Sequence, residues 1–320
     1  MAENIILDRN LTIEAVRVTE AAAIAAAETM GRGDEKIADQ AAVDAMRTAL
    51  NRLQMAGTVV IGEGERDEAP MLFIGEEVGT GNGPKIDIAL DPLEGTTITA
   101  KGMPNGLAVL ALSEHGGLLN APDVYMDKIA AGPLVPPGAI DLDNTAGENV
   151  ANVAKALGKD TKDVVACILD RPRHGELIAA VREAGARIVL IGDGDVAGVM
   201  ATAMPETGID LYMGTGGAPE GVLAAAALRC IGGNIQGRLL FRNDDERGRA
   251  AKVGVEDLNR KYEITDLASG DVIFAATGVT DGNMLQGVRR TAKYLSTESV
   301  AMRARTGTVR WIRMQHPIRK

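Results

Sequence analysis

The stretch DPLEGT at residues 91–96 places two carboxylates, a hydroxyl and a turn-forming glycine within six residues. An apolar run typical of a buried strand precedes it, and the proline removes a backbone donor, so the strand is predicted to end here. Gly95 permits a tight turn that can direct Asp91 and Glu94 to one point. Two acids at a strand end suit a hard cation such as Mg²⁺ or Mn²⁺, and Thr96 can orient a water. Taken alone, the stretch is equally consistent with a turn that carries solvated acids.

Further carboxylates are predicted at the ends of other elements. The loop GEGERDE at residues 62–68 follows a short β-branched strand, and Glu220 belongs to the glycine-rich stretch 214–221. Asp39 is expected to open a helix, where a favourable charge in the first turn is its simplest role. Oxygen ligands without a neighbouring His or Cys indicate Mg²⁺ or Mn²⁺ rather than zinc. The candidate metal ligands are Asp39, Glu63, Asp91, Glu94 and Glu220.

Groups suited to an anionic sugar occur in three stretches of the second half. The sequence Arg171-Pro172-Arg173-His174 supplies guanidinium forks that match phosphate geometry, whereas His174 alone is expected to be structural or peripheral. The stretch 214–221 is interpreted as a loop that opens a helix and whose N–H groups can hold a phosphate. Asp193 and Asp195 can accept hydrogen bonds from sugar hydroxyls, although an acidic turn is the simpler interpretation.

A competing motif overlaps these aspartates. The sequence GDGDVA at residues 192–197 follows a predicted strand, opens a predicted helix and fits the GxGxxA pattern of dinucleotide-binding loops. Two aspartates inside such a loop would repel a pyrophosphate. A nicotinamide-dependent oxidoreductase is therefore the alternative from another enzyme class, and the absence of a GxxxxGK[ST] motif argues against a P-loop enzyme.

The elements that position these residues predict an α/β protein. The first half reads as α+β, with helices at 11–30 and from Asp39, and with a hairpin turn at residues 116–117. The second half alternates strands and helices, which predicts a largely parallel sheet with its loops at the carboxyl ends of the strands. A further helix is expected from Met284. We expect two subdomains, 1–150 with the metal-binding acids and 151–320 with the sugar-phosphate loops.

Composition narrows the class of protein. The chain has 320 residues, of which 46% are hydrophobic and 2% aromatic, and its formal net charge is −10. Such a charge argues against broad nucleic-acid binding. Cys167 and Cys230 lie in apolar surroundings without a CxxC pair, as expected in a reducing compartment. The N-terminus lacks a secretory pattern, and the alanine-rich run 21–27 is too short to span a bilayer, so a cytoplasmic protein without membrane partners is expected.

Seven motifs together carry a family resemblance. The element DPLEGT resembles the DPxDGT metal-binding element of the lithium-sensitive, inositol-monophosphatase-like phosphatases. The full set resembles class II fructose-1,6-bisphosphatase of the bacterial GlpX type, from about residue 3 to the C-terminus. Glu35 stands where the family pattern leads us to expect Lys, and Gln40 stands where we expect Gly. The motifs are GRGDEKIAD, VIGEGERDEAPM, DPLEGTT, NAPDVYM, RPRH, IGDGD and GTGGAPEG.

The resemblance implies a layered αβαβα sugar-phosphatase fold and hydrolysis of the 1-phosphate of fructose 1,6-bisphosphate in gluconeogenesis, with Mn²⁺ or Mg²⁺. Alternatives within the same chemistry are a dual fructose-1,6-/sedoheptulose-1,7-bisphosphatase or an inositol phosphatase. Thr96 would help to activate the attacking water, with Asp67 nearby, and a homo-oligomer, dimer or tetramer, is expected. The five carboxylates named above are the implied metal ligands. The implied substrate contacts are Glu94, Gly95, Thr96, Tyr125, Arg171, Pro172, Arg173, Asp193, Gly194, Asp195 and Gly217.

Overall fold

The protein was analysed as a computed structural model that describes residue 7 and residues 10–64 and 71–318. Helices and strands alternate along these residues. The helices are α1 (Leu11–Ala27), α2 (Glu35–Leu50), α3 (Thr96–Ala100), α4 (Ala146–Leu157), α5 (Gly175–Glu183), α6 (Asp195–Ala201), α7 (Ala218–Ile231), α8 (Asp244–Lys252) and α9 (Ile264–Leu267). The strands are β1 (Ala56–Ile61), β2 (Glu77–Val78), β3 (Lys85–Glu94), β4 (Leu107–Glu114), β5 (Tyr125–Ala131), β6 (Val165–Leu169), β7 (Arg187–Ile191), β8 (Leu211–Gly217), β9 (Asn234–Leu240), β10 (Lys261–Glu263), β11 (Val272–Gly278), β12 (Arg289–Arg290), β13 (Tyr294–Arg303) and β14 (Thr308–Pro317). Helices and mixed sheets in one chain confirm the predicted α/β class.

The first compact unit combines both ends of the chain, residues 1–119 and 269–320. Its sheet has the strand order β12-β13-β11-β4-β3-β1-β2, and β14 pairs with β13. The β1–β3 pair is parallel, whereas β3–β4 and β4–β11 are antiparallel. Because β1 and β3 run in the same direction, their carboxyl ends and the acids that follow them lie at the same end of this sheet.

Small side chains allow α1 and α2 to pack closely beside the first sheet. Ala15, Ala22 and Ala26 of α1 and Ala38 and Ala42 of α2 are fully buried in one core with residues of β3, β4 and β11. Each buried alanine removes little apolar area from water. Because the sequence has few aromatic side chains, the core needs many such buried positions. This packing was expected from the alanine-rich helix 11–30.

The second unit comprises residues 120–268, and its sheet has the order β10-β9-β5-β8-β6-β7. Only the β6–β7 and β6–β8 pairs are parallel, while β5 pairs antiparallel with both β8 and β9. The sheet is therefore mixed rather than largely parallel. The physical reason is that β5, whose sequence reads as an irregular segment, enters the middle of the sheet in the opposite direction.

The boundaries of these units differ from the expected division at residue 150. Strand β5 pairs with β8 and β9, so it belongs to the second unit although it precedes residue 150. Strands β11, β13 and β14 return to the first sheet, where β11 pairs with β4. Pairing partners far apart in sequence decide this division, and composition does not reveal them.

Two local predictions near these strands are wrong. Residues 116–117 do not close a hairpin, because β4 pairs with β3 and β11 and the next strand joins the other sheet. Residues 281–288 form bends without a helix, and the chain then enters β12. Within the part of the chain that the structure describes, no helix is both long and apolar enough to cross a membrane.

Candidate active site

A bulge in β3 presents the first pair of acids. The strand continues past Pro92 to Glu94, so the prediction that it ends at Asp91 is wrong. Asp91 pairs with Val109 and Glu94 pairs with Leu107, which leaves one extra residue on β3. A bulge tolerates proline because the extra residue makes no ladder hydrogen bond. Asp91 is partly exposed and accepts a bond from the Leu93 amide at 3.0 Å, whereas Glu94 is buried.

Gly95 turns the chain from β3 into α3. Its φ and ψ are 88° and 54°, in the left-handed region where a side chain is strained. A Cβ at this position would lie 2.6 Å from side-chain atoms of Ile98. Thr96 is therefore the first residue of α3 and is partly exposed, as expected for a hydroxyl that orients a water.

Asp39 lies inside α2 rather than at its start. The helix begins at Glu35 and is capped by Asp34, whose carboxylate accepts a bond from the Ile37 amide at 3.1 Å, so the prediction that Asp39 opens the helix is wrong. Burial raises the pKa of Asp39. Because α2 packs against α3 and β3, Asp39 belongs to the same unit as the DPLEGT stretch.

Glu63 follows β1 at the end of the first sheet that β1 and β3 share. Its amide donates to the Leu72 carbonyl at 3.0 Å, and a Cβ at Gly62 would collide with the same carbonyl. The loop is thus held by backbone contacts that only glycine permits at residue 62. Asp67 lies outside the described residues, so its predicted role remains a prediction.

The second unit has its predicted substrate-contact residues at one end of its sheet. The carboxyl ends of the parallel strands β6, β7 and β8 precede Arg171, Asp193 and Ala218. The antiparallel register pairs Tyr125, at the start of β5, with Gly217, at the end of β8. We call this place the carboxyl end of the second sheet. The stretch 214–217 is part of β8, so the prediction that it forms a loop is wrong.

Two arginines at this carboxyl end are fixed by contacts. Arg171 Nη2 lies 3.8 Å from Asp193 Oδ1, in the loop before α6. Arg173 donates to the Thr215 carbonyl from Nε at 3.0 Å and from Nη2 at 2.7 Å, and its Cζ lies 5.0 Å from the centre of the Tyr125 ring. Both guanidinium groups remain partly or largely exposed, so they are available to an anion.

Lys128 forms a buried ion pair that sequence reasoning missed. Its Nζ donates to Asp195 Oδ2 and, at 2.8 Å, to the Gly217 carbonyl, and the two side chains are 1% and 7% exposed. A Cβ at Gly216 would collide with the same carboxylate oxygen. Asp195 therefore begins α6 as a structural anion, which explains the GDGDVA sequence without a dinucleotide. A lysine within the buried strand β5 was the available sequence signal.

Glu220 lies in the first turn of α7, close to this ion pair. Burial raises the pKa of Glu220 to about 7, and the Asp195 carboxylate adds to the rise, while Lys128 opposes it. A Cβ at Gly217 would collide with the Glu220 carboxylate, so the glycine is required for this approach. A cation bound near Glu220 would favour the ionised carboxylate and so lower its pKa.

His174 is a structural residue, as expected. Its Nδ1 donates to the Leu169 carbonyl at 2.7 Å, and its Nε2 accepts from the Thr215 amide at 2.8 Å. Both ring nitrogens are thus engaged in a buried position, and the neutral imidazole joins the end of β6 to β8.

The assignment of the five candidate residues as metal ligands remains a prediction that rests on the chemistry of the donors. Within the described residues, no three His, Cys, Asp or Glu side chains converge as a metal centre. The candidate ligands nevertheless offer only carboxylate oxygens, which suit Mg²⁺ or Mn²⁺. The first unit carries Asp39, Glu63, Asp91 and Glu94, and the second unit carries Glu220.

Comparison with known proteins decides the family. The family model described as "Bacterial fructose-1,6-bisphosphatase, glpX-encoded" matches residues 9–316. This chain belongs to that family. The fructose-1,6-bisphosphatase family resemblance predicted from the seven motifs is therefore confirmed.

Relatives within the fructose-1,6-bisphosphatase family align along nearly the whole chain. "Fructose-1,6-bisphosphatase 1 class 2" of Escherichia coli (strain K12) is 46% identical over 322 residues, covering 96% of this chain and 95% of the relative. "D-fructose 1,6-bisphosphatase class 2/sedoheptulose 1,7-bisphosphatase" of Synechococcus sp. (strain JA-3-3Ab) is 45% identical over 335 residues, covering 97% and 96%. Both are named as phosphatases, in agreement with a hydrolase.

Proposed function

We propose that this chain hydrolyses the 1-phosphate of fructose 1,6-bisphosphate to fructose 6-phosphate and inorganic phosphate, with Mg²⁺ or Mn²⁺. The observation that carries the proposal is the family match over residues 9–316. The types of side chain agree with it, because β3 carries carboxylates that suit a metal ion and the Tyr125 ring has guanidinium groups beside it that suit a phosphate.

The proposed ligands are Asp39, Glu63, Asp91, Glu94 and Glu220. When bound, the cation neutralises charge that develops on the transferred phosphoryl group. Glu94 and Asp91 are held by the β3 bulge, so their positions do not depend on a flexible loop.

The remaining residues of the site orient the sugar phosphate and the water. Thr96 orients the attacking water through its hydroxyl, at the start of α3. Arg171 and Arg173 bind the phosphate that does not react, so its binding energy positions the reacting end. Tyr125 packs beside this phosphate. Gly95, Pro172, Asp193, Gly194, Asp195 and Gly217 complete the proposed substrate contacts, with Asp195 acting from its ion pair with Lys128.

Phosphate release from fructose 1,6-bisphosphate tests the proposal. We expect activity with Mn²⁺ or Mg²⁺, loss of activity after chelation, and recovery when the metal returns. Asp91→Ala, Glu94→Ala and Glu220→Ala should each lower kcat/KM by orders of magnitude. Asp39→Asn should lower kcat/KM as well, and Asp44→Asn is its matched control, because Asp44 lies on the same helix and is exposed.

Near-normal turnover in any two of the three alanine variants would overturn the ligand assignment. Parallel assays with sedoheptulose 1,7-bisphosphate test the dual activity that the name of the Synechococcus relative suggests. We further propose a cytoplasmic homo-oligomer, dimer or tetramer. Light scattering coupled to gel filtration measures its mass, and a monomer at assay concentration would contradict the oligomer.

A further inference from the structure

Arg242 stands at the carboxyl end of the second sheet, although it belongs to none of the motifs identified in the sequence. The register of β5 and β9 pairs Tyr125 with Leu240, the last residue of β9. The chain therefore leaves β9 next to Tyr125, two residues before Arg242. The Arg242 Cζ lies 4.9 Å from the centre of the Tyr125 ring, and the Arg173 Cζ lies 5.0 Å from the same centre. Both distances are within the range of a cation–π contact.

A buried carboxylate fixes Arg242. Its Nε donates to Glu246 Oε1 at 2.5 Å, and its backbone amide donates to Glu246 Oε2 at 2.7 Å. The Glu246 side chain is 1% exposed, whereas the Arg242 side chain is 61% exposed. Asn243 caps α8 by accepting a bond from the Glu246 amide at 2.9 Å. The acid that orients the arginine is therefore itself held in place.

The helix that follows is joined to the segment before Tyr125. Arg249, in the last turn of α8, donates from Nη2 to the Asp123 carbonyl at 3.0 Å. Thus the segment from Arg242 to Arg249 contacts the chain around the start of β5 at two points, through Arg242 on the Tyr125 ring and Arg249 on the Asp123 carbonyl. These contacts position the Arg242 guanidinium group, which precedes the charged helix α8.

Two exposed guanidinium groups beside one ring lie within about 10 Å of each other, since each Cζ is about 5 Å from the ring centre. Arg173 is anchored to the Thr215 carbonyl and Arg242 to Glu246. Each guanidinium group has five N–H donors and its anchor uses two of them, so both groups keep donors for an anion beside the ring. We propose that Arg242 binds the non-reacting phosphate of the sugar bisphosphate together with Arg173, with Tyr125 setting their spacing. The inference rests on the proposed function.

The chain contains a reference for an arginine that only packs on a tyrosine. Arg260 has its Cζ 4.9 Å from the centre of the Tyr262 ring and pairs with Asp266 at 2.7 Å. Arg260 resembles Arg242 in its distance from a tyrosine ring and in having an acidic partner. The exposed fraction of its side chain, 51%, is also similar. Tyr262 lies on β10 and pairs with Gly237 of β9. Strand β10 flanks β9 on the side opposite to β5, which carries Tyr125. If Arg242 only packs on its ring, Arg242→Gln and Arg260→Gln should have the same effect.

Fructose 6-phosphate binding, measured calorimetrically without divalent metal, tests the inference apart from turnover. We expect Arg242→Gln to weaken binding about 10- to 100-fold, as for the loss of a hydrogen bond to a charged group. Arg260→Gln should bind as the wild type does. With metal, kcat/KM for fructose 1,6-bisphosphate should fall by a similar factor in Arg242→Gln and stay at the wild-type value in Arg260→Gln.

Wild-type affinity for fructose 6-phosphate in Arg242→Gln would overturn the inference, as would equal losses in both variants. Arg242→Met, which keeps an apolar stem on the ring, gives the same comparison if the Gln variant does not fold. A wild-type protein that binds fructose 6-phosphate but releases no phosphate from the bisphosphate would contradict the proposed function. The binding comparison would still decide the role of Arg242.

Discussion

At the scale of single residues, the candidate site contains a buried pair of charged side chains. Loss of either partner of such a pair lowers the stability of the fold. Lys128 and Asp195 are both buried and face each other, and the Gly217 carbonyl accepts a second bond from Lys128. A buried pair of this kind adds little net stability, because desolvation offsets the attraction between the charges. Removing one partner alone leaves an uncompensated charge inside the protein.

We therefore expect Lys128→Met to lower the free energy of unfolding by about 3–5 kcal/mol. The double variant with Asp195→Asn should recover part of this loss, because it no longer contains the unpaired carboxylate. Urea denaturation gives both values. The control is Lys162→Met, whose pair with Asp160 is exposed and should contribute less than about 1 kcal/mol. Equal losses from Lys128→Met and the control would contradict the buried pair.

At the scale of elements, the turn from β3 into α3 decides where the hydroxyl of Thr96, the proposed water-orienting group, lies. The bulge absorbs Pro92, and Gly95 then takes a left-handed conformation that brings Thr96 to the start of α3. The loop before α2 contacts α3 as well, since the amides of Gly31 and Gly33 donate to the carbonyls of Thr99 and Ala100. Backbone geometry, rather than side-chain flexibility, therefore positions Thr96.

Gly95→Ala should consequently impair turnover more than stability. The new Cβ combines a left-handed conformation, which costs about 1–2 kcal/mol, with a clash against Ile98. We expect kcat to fall at least about tenfold because a one-ångström displacement of a reacting group can cost about a hundredfold. Steady-state kinetics and thermal melting measure the two effects.

Gly116→Ala is the control for this variant. Gly116 has a φ of 81°, and a Cβ there meets nothing within 4 Å. It should lower stability by about 1 kcal/mol without changing kcat. If Gly95→Ala and Gly116→Ala lose stability alike and both keep full turnover, the turn does not position the hydroxyl.

At the scale of the whole molecule, the two units have different chain connectivity. The second unit is one continuous segment, residues 120–268, whereas the first unit requires both ends of the chain. Strand β5 lies inside the second sheet, between β8 and β9. A fragment that begins at residue 151 lacks this strand and also contains β11, β13 and β14 without their partner β4.

We expect the fragment 120–268 to fold alone and the fragment 151–320 to fail. The first retains every strand of its sheet, while the second exposes the edges of β8 and β9 and leaves β11 unpaired on one side. Circular dichroism and cooperative thermal unfolding distinguish the two fragments. Cooperative unfolding of 151–320 and none of 120–268 would contradict the division into these units.

The sequence by itself determined the class of fold and the family. Acids after predicted strands, two arginines beside a proline and the order of seven motifs led to an α/β sugar phosphatase. These features are local, because residue type, glycine and proline act within a few positions of the chain. Asp91 and Glu94 lie on the bulged end of β3 and Glu63 lies in the bend after β1, whereas Asp39 lies inside α2.

Only the tertiary structure decided which distant segments meet. The pairing of β5 with β8 and β9 brings Tyr125 to Gly217 and toward Arg242, and it places Lys128 against Asp195. Strand registers of this kind depend on which faces are buried together in the folded state. Lys128, inside a buried strand, pairs with Asp195, which is 67 residues away along the chain. Arg242, before a charged helix, reaches the ring of Tyr125 on a strand of a distant segment.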